Sequence, residues 1–377
     1  MNKVDSTNSE IKDNIISKGL ALGFDDIGIA SPSSIGAASD NLSEFLNSNF
    51  HGEMIWMKEK SFRRSNPKNL WPPVKSVIVV AMSYSVSHNP LNDLLNRDKA
   101  FFSMYSRGDD YHKIFKKKLK SFGRWIKENY KYETRCFVDT APVMEKPLAA
   151  ASGIGWQGKN TNLISKSWGN WLLLGTLFTD MSLDPDIKVR DHCGTCNACQ
   201  TICPTNAFVD SYKLDARKCI SYLLIEYKGH IPLEFRRAIG NRVFGCDDCL
   251  AICPWNKFAR ASKELSFFPR IELIKSDLAE FVQLDDKSFR EVFSGSPVKR
   301  LGRERFIRNV LIAIGNSNKT NLICLVKQCL LDSSALIRAM AVWALSCLTD
   351  EETFFKIKNN YINLERSKYV IEEWNRR

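Results

Sequence analysis

The sequence has no long apolar run. Its longest, residues 77–82 and 171–178, fall far short of the ~20 residues that span a bilayer. The first ten residues are polar and lack a signal-peptide core, so a cytosolic protein is expected. Low-complexity tracts and a disordered composition are missing too: 44% hydrophobic and 25% charged content over 377 residues is enough for two or three packed domains. A disulfide framework is disfavoured by pattern rather than by number. Of twelve cysteines, seven crowd into two tight runs within 193–253 and an eighth, Cys219, lies between them, which in a reducing compartment argues for metal. Acidic charge is the scarcer sign, 42 against 54 basic residues, and the resulting +12 suits a polyanionic partner without bearing on fold.

Up to about residue 180 the pattern is α/β. Ile11, Ile15, Ile16 and Leu20 recur at helical spacing, 27–30 reads as a short strand, 77–81 as a strand buried on both faces, and 135–139 as another strand. The stretch 109–132 predicts one long helix, with Phe115, Leu119, Phe122, Ile126 and Tyr130 on its core side. Its opposite stripe, Lys113, Lys116, Lys120, Arg124, Lys127 and Lys131, reads either as a solvated face or as a phosphate-facing one. A Pro- and Asp-containing stretch at 180–191 marks a boundary, the cysteine-rich segment follows, and beyond 270 the pattern is wholly helical. There, 306–315 is echoed thirty residues later by 336–345, as in a short HEAT-like repeat.

Cys193-x2-Cys196-x2-Cys199-x3-Cys203-Pro204 has the spacing of a bacterial ferredoxin run, in which three thiolates hold one cubane and the fourth reaches a second. A second run, Cys246-x2-Cys249-x3-Cys253-Pro254, has Val243 where its first cysteine belongs, and Cys219 is the natural replacement. Crossed ligation then assigns Cys193, Cys196, Cys199 and Cys253 to one 4Fe-4S cluster and Cys203, Cys219, Cys246 and Cys249 to the other. The competing readings are a zinc site or a purely structural cluster. Cys136, Cys324, Cys329 and Cys347 sit in apolar patterns and read as buried small hydrophobes. Two clusters form an electron wire, and the long segment before them argues for an attached active site.

Asp139 stands where a strand ends and a helix begins, with Pro142 suited to that helix's first turn; it reads as a cap or as a catalytic acid. Gly153-x-Gly155-x-x-Gly158 imitates a dinucleotide loop but follows a helix, so nicotinamide binding is rejected, while a close backbone approach to a large flat ligand stays open.

With 51–57 (HGEMIWM), 107–112 (RGDDYH), 138–142 (VDTAP), 155–160 (GWQGKN), the two cysteine runs, 217–222 (RKCISY) and 240–249 (GNRVFGCDDC), the chain resembles the epoxyqueuosine reductase family. The resemblance implies an α/β cobalamin-binding catalytic domain at 1–180, a ferredoxin-like domain with two 4Fe-4S clusters at 181–268 and an all-α HEAT-like repeat domain at 269–377. It implies reduction of epoxyqueuosine to queuosine at the tRNA wobble position, the last step of queuosine biosynthesis, with electrons passing through both clusters to cobalamin. Asp139 becomes the proton donor, with a carboxyl raised by burial so that it is protonated at neutral pH. Met57, Arg107, Asp139, Gly155, Lys159, Asn160 and Ser221 fall in segments expected at the cobalamin. Asp191-His192-Cys193 lacks the spacing of a cobalt-ligating histidine motif, so no protein imidazole is expected on the metal.

The implied partners are the modified tRNA and an external low-potential electron donor, for a monomer that does not touch membranes. Arg236, Arg237, Arg242, Lys299, Arg300, Arg303 and Arg305 are the first candidates for anticodon-stem contacts, with the stripe at 113–131 second. The rival readings are a reductive dehalogenase-like cobalamin and iron-sulfur reductase acting on a small molecule, and a ferredoxin module that catalyses nothing. An electrostatic tRNA interface loses affinity steeply as salt rises; a stem-loop titration at several salt concentrations checks this, and a flat response contradicts it.

Overall fold

The computed structural model describes residues 8–85, 88–274 and 276–377. A four-stranded sheet organises the first half, in the order Asp26–Ala30, Ser76–Ser83, Leu172–Thr179, Thr134–Phe137, with every neighbouring pair antiparallel. All eight residues of Ser76–Ser83 are buried. Alternation explains how. Ile78, Val80 and Met82 pack with Phe115, Leu119, Phe122 and Ile126 of the helix Tyr111–Tyr130, whereas Val77, Val79 and Ala81 pack with Leu148 and Ala149 of the helix Glu145–Ala151. The continuous apolar run at 77–81 thus reflects a strand covered on both faces. At Gly28 an added Cβ would lie 2.0 Å from the Ser152 carbonyl, so only glycine lets the edge strand lie against the end of the Glu145–Ala151 helix.

The helix Tyr111–Tyr130 carries the predicted wheel: its apolar stripe is buried and Lys113, Lys116, Lys120 and Arg124 face solvent. Asp110 caps it, its carboxylate accepting the His112 amide. That cap brings the first turn to the end of the sheet, where Thr134–Phe137 stops.

The cysteine segment holds only short helices, among them Ala198–Thr201, Ile220–Ile225 and Asp248–Ala251. Elements this small bury too little surface to stand alone. One core accordingly runs from Ile220, Leu224 and Val243 into the carboxyl-terminal helices, and it takes in Phe102 from the first half. A cut between residues 268 and 269 would pass through this core. The two echoed segments are the helices Arg303–Asn316 and Ala335–Leu348, packed on each other, with Lys368–Trp374 packed on the second.

Arg308, fully buried, fastens the first echoed helix to the cysteine segment. Its guanidinium donates to the carbonyls of Leu223, Tyr227 and Gly229, and Asn309 donates to those of Leu224 and Val243. Desolvation lowers the Arg308 pKa to about 9. Arg236, at 3% side-chain exposure, pairs with Glu373 at 5%. Among the described residues no helix is long and apolar enough to cross a membrane.

Removing one partner of a buried ion pair strands the other. Glu373→Ala is expected to cost about 3–5 kcal/mol in denaturant unfolding, with stem-loop affinity unchanged in the folded protein.

Candidate active site and cluster ligands

Asp139 lies just past the end of Thr134–Phe137, and its backbone is left-handed, φ 51°. It caps nothing, because the following helix starts only at Glu145; Pro142 therefore lies in the connecting loop. A non-glycine residue keeps such a conformation only when its surroundings hold it there. Glu145 Oε1 accepts the Asp139 amide at 2.9 Å. Tyr111 Oη donates to Asp139 Oδ2 at 2.9 Å, and His112 Nε2 lies 3.2 Å from the same oxygen. His112 Nδ1 is 2.8 Å from Asp110 Oδ1, and Arg300 reaches both Asp110 and His112. The Asp139 side chain nonetheless remains 61% exposed.

Burial works to raise the Asp139 carboxyl, but the hydrogen bonds from His112 and Tyr111 outweigh it and hold the carboxyl below its ordinary value. The expectation of a carboxyl raised by burial is therefore corrected. Burial also opposes charge on His112, yet its bonds to Asp110 and Asp139 raise its pKa. Burial, and then the neighbouring Asp139 charge, lift Glu145 to about 8, even though the amide bond it accepts opposes the shift. Hydrogen-bond partners thus favour the charged forms of His112 and Asp139, while burial favours the neutral form of Glu145.

The cysteines fall into two groups. Burial raises the Cys199 thiol, and Cys193 and Cys196 raise it further; burial lifts Cys253 to about 11, with Cys193, Cys199 and Cys196 adding to it. Cys249 is raised by burial and then by Cys219, Asp247, Cys199 and Cys203. Cys193, Cys196, Cys199 and Cys253 thus neighbour one another, while Cys249 neighbours Cys219 and Cys203 and also Cys199 of the first group, so the two groups lie side by side. Among the described residues no three His, Cys, Asp or Glu side chains close around a single ion; a cubane spreads its ligands over four corners. The Trp156 indole donates to Cys193 Sγ and the Ala207 amide to Cys203 Sγ, bonds of the kind that tune a cluster's potential.

Other nominated residues have structural work. Arg107 is buried, bonded to the Phe102 carbonyl and paired with Asp93. Gly155 is needed by its own hairpin, since a Cβ there would meet the Ile164 carbonyl at 2.1 Å. Lys159 clips the outer cysteine loop through the Gly194 and Cys196 carbonyls, and Asn160 donates to the Cys249 carbonyl. The Ser221 amide points at the Cys219 sulfur, and Met57 is half-buried on the short helix Ile55–Glu59.

The basic candidates divide likewise. Arg236 and Arg242 are corrected: both are buried, with Glu373 and with Asp248 beside Cys246, out of reach of a phosphate. Arg303 is tied to Asp332 and the Leu284 carbonyl, and Arg305 to the Leu301 and Ile225 carbonyls. Arg237, Lys299 and Arg300 are exposed.

Glu145 and Lys146 carry no signal in the sequence, and Tyr111 and His112 stand there only within the matching segment 107–112. The usable signal was an Asp-x-His at the start of an amphipathic helix. The Lys146 side chain is exposed and its ammonium donates to Asn162 Oδ1 at 2.7 Å, while desolvation lowers its pKa against the charges of Asp139, Cys249, Glu145 and Cys219, which raise it.

The family model described as "Epoxyqueuosine reductase QueG, DUF1730" matches residues 64–140, and that of a 4Fe-4S double cluster binding domain matches residues 192–256. The epoxyqueuosine reductase of Pseudomonas aeruginosa is 43% identical over 331 residues, covering 87% of this chain and 91% of the relative. This chain belongs to the epoxyqueuosine reductase family. The Escherichia coli K12 epoxyqueuosine reductase is 37% identical, with 94% of each chain covered. Among solved structures, an epoxyqueuosine reductase with an epoxyqueuosine-modified tRNA-Tyr stem loop superposes at TM-score 0.88 with 26% identity and 98% of each chain covered. A Bacillus subtilis epoxyqueuosine reductase whose catalytic loop is swung out of the active site superposes at 0.89, also at 26% identity and 98% coverage of each chain.

The two shifted groups have opposite linkage. His112, raised, stabilises the fold in full below about 6.5 and loses that contribution as pH rises through its folded value; Asp139, lowered, contributes in full above 3.8 and loses it as pH falls. A proton NMR titration is expected to place the His112 midpoint above 6.5 and to lower it in Asp139→Ala.

Proposed function

We propose that this chain reduces epoxyqueuosine to queuosine at the wobble position of tRNA: two electrons and two protons remove the epoxide oxygen, leaving an alkene and water. The carrying observation is the pairing, in one chain, of the Asp139 carboxylate held by Tyr111 and His112 with a double-cluster segment. A proton-handling group and an electron-carrying segment are thereby joined. Nothing in a plain electron-transfer module calls for the first of these.

Cobalamin fits beside Asp139 on chemical grounds. The exposed side chains of Asp139 and Lys146 leave that face polar and open instead of packed. Ser221 follows a cluster ligand, and Tyr222 Oη accepts the Glu53 amide and so ties down the segment that carries Met57. Ser221, Met57 and Lys146 are the residues that would hold it. When bound, it supplies low-potential two-electron chemistry toward a strained epoxide.

The chain's own part is proton handling and orientation. Asp139 presents its exposed carboxyl to the departing oxygen and delivers the proton there, with His112 and Tyr111 holding Oδ2 in place. Tyr111 and Glu145 keep the loop from rotating away. Arg300 fixes Asp110 and thereby the His112 ring, and with Lys299 and Arg237 it offers exposed positive charge to the anticodon stem. On this reading residues 1–180 supply the acid, 181–268 the electrons, and 269–377 the brace and part of the RNA face. Reduced clusters and a tRNA substrate both belong in the cytoplasm.

Dithionite-reduced protein supplied with cobalamin and an epoxyqueuosine stem-loop is expected to yield queuosine. Asp139→Asn should lower turnover by about 10²–10⁴-fold with cluster absorbance and stem-loop affinity intact, and wild-type turnover in this variant contradicts the assigned role. Nucleoside analysis of cells lacking the gene should show epoxyqueuosine in place of queuosine.

A further inference from the structure

Electrons have to enter from outside, and the outer cysteine group is the one that reaches the surface: Cys196 is exposed, while Cys203, Cys219, Cys246 and Cys249 are all partly buried. Transfer rates fall steeply with distance, so a donor must dock near that edge. The surface there is unusual in composition. Ile187 is 92% exposed and Phe258 42% exposed, large apolar groups left in water. Lys188, Arg190 and Lys257 stand beside them, all exposed, and none joins an ion pair among the described residues. Of the acids close by in sequence, Asp186 is paired with Lys12 and Asp191 accepts the Tyr212 hydroxyl, leaving Asp184 and Asp191 against the three basic residues.

These residues form one continuous piece with the ligands. Val189, between the two basic residues, packs with Cys193 and Trp255 onto Trp156 and Cys253. Trp255 lies 5.5 Å from the Phe258 ring and 4.9 Å from that of Trp156, whose N–H bonds Cys193 Sγ. An aromatic series thus leads from the exposed Phe258 to a cluster sulfur.

We propose that this patch is the docking surface for a small acidic one-electron carrier protein of the ferredoxin or flavodoxin class. The proposal rests on the reductase reading and names its electron donor. Each encounter oxidises the carrier by one electron and reduces the outer cluster by one; two encounters supply the two electrons that, with two protons, convert epoxide to alkene and water. An apolar centre with a basic rim matches an acidic protein, whereas a phosphate backbone would leave Ile187 and Phe258 unmatched.

The test is calorimetric titration of a strongly acidic ferredoxin, in its oxidised form, onto the cluster-loaded protein. Combined Lys188→Glu, Arg190→Glu and Lys257→Glu substitutions should raise Kd by about tenfold or more, as should added salt, because attraction becomes repulsion. Cluster reduction by dithionite and stem-loop affinity should stay as in wild type. Unchanged ferredoxin binding overturns the proposal, and so does a loss of stem-loop affinity with ferredoxin binding intact, which would assign the face to RNA. Epoxide turnover by the dithionite-reduced wild type needs no protein donor, so it tests the reductase reading separately.

Discussion

Eight thiols drawn from three separated stretches of chain have to be held near one another in surroundings that disfavour their ionised form. Burial alone raises Cys249 and Cys246 well above the ordinary thiol value, and the neighbouring cysteines add to it at Cys249. Iron compensates for that cost when it binds, but the polypeptide must supply the frame. Much of the polar detail can be read as that frame. Lys159 and Asn160 bond the carbonyls of the cysteine loops, Arg242 and Asp248 pair beside Cys246, and Arg308 with Asn309 fastens the 223–243 backbone from behind. Several of these are charged side chains in places where an unpaired charge would be costly, and each is satisfied by carbonyls or a counter-charge.

The acid side obeys a different balance. Desolvation pushes all the carboxyls around Asp139 toward neutrality, and what separates them is hydrogen bonding. Asp139 and Asp110 receive side-chain donors and fall, Asp110 to about 2, while Glu145 receives one backbone amide and rises to about 8. Three carboxyls within one small region thereby hold different charge states, with His112 between two of them. The left-handed backbone at Asp139 is part of the same arrangement, because it turns the carboxylate toward Tyr111 and His112 while leaving its amide for Glu145.

The double-cluster segment is legible in the sequence because its chemistry is written in short-range cysteine spacing. The central strand and the long amphipathic helix were legible for the same reason, since periodicity is local. What escaped depends on contacts distant in sequence. Nothing in the primary structure says that Arg236 meets Glu373 across 137 positions, or that Arg107 turns inward to Asp93. Exposed and buried arginines look alike on paper, so a basic surface inferred from composition came out partly wrong. Gly155 shows the same limit: a glycine close to a neighbouring carbonyl and one close to a ligand give the same letter. The direction of the Asp139 shift could not be anticipated either, because it hinges on two donors that reach it from another element.

The core that joins Ile220 and Val243 to Trp374 makes the cysteine segment lean on a distant helix. Local opening of Lys368–Trp374 would take Glu373 away from Arg236 and remove the support behind the ligand-bearing stretch, so the integrity of the cysteine loops is tied to a helix more than a hundred positions away.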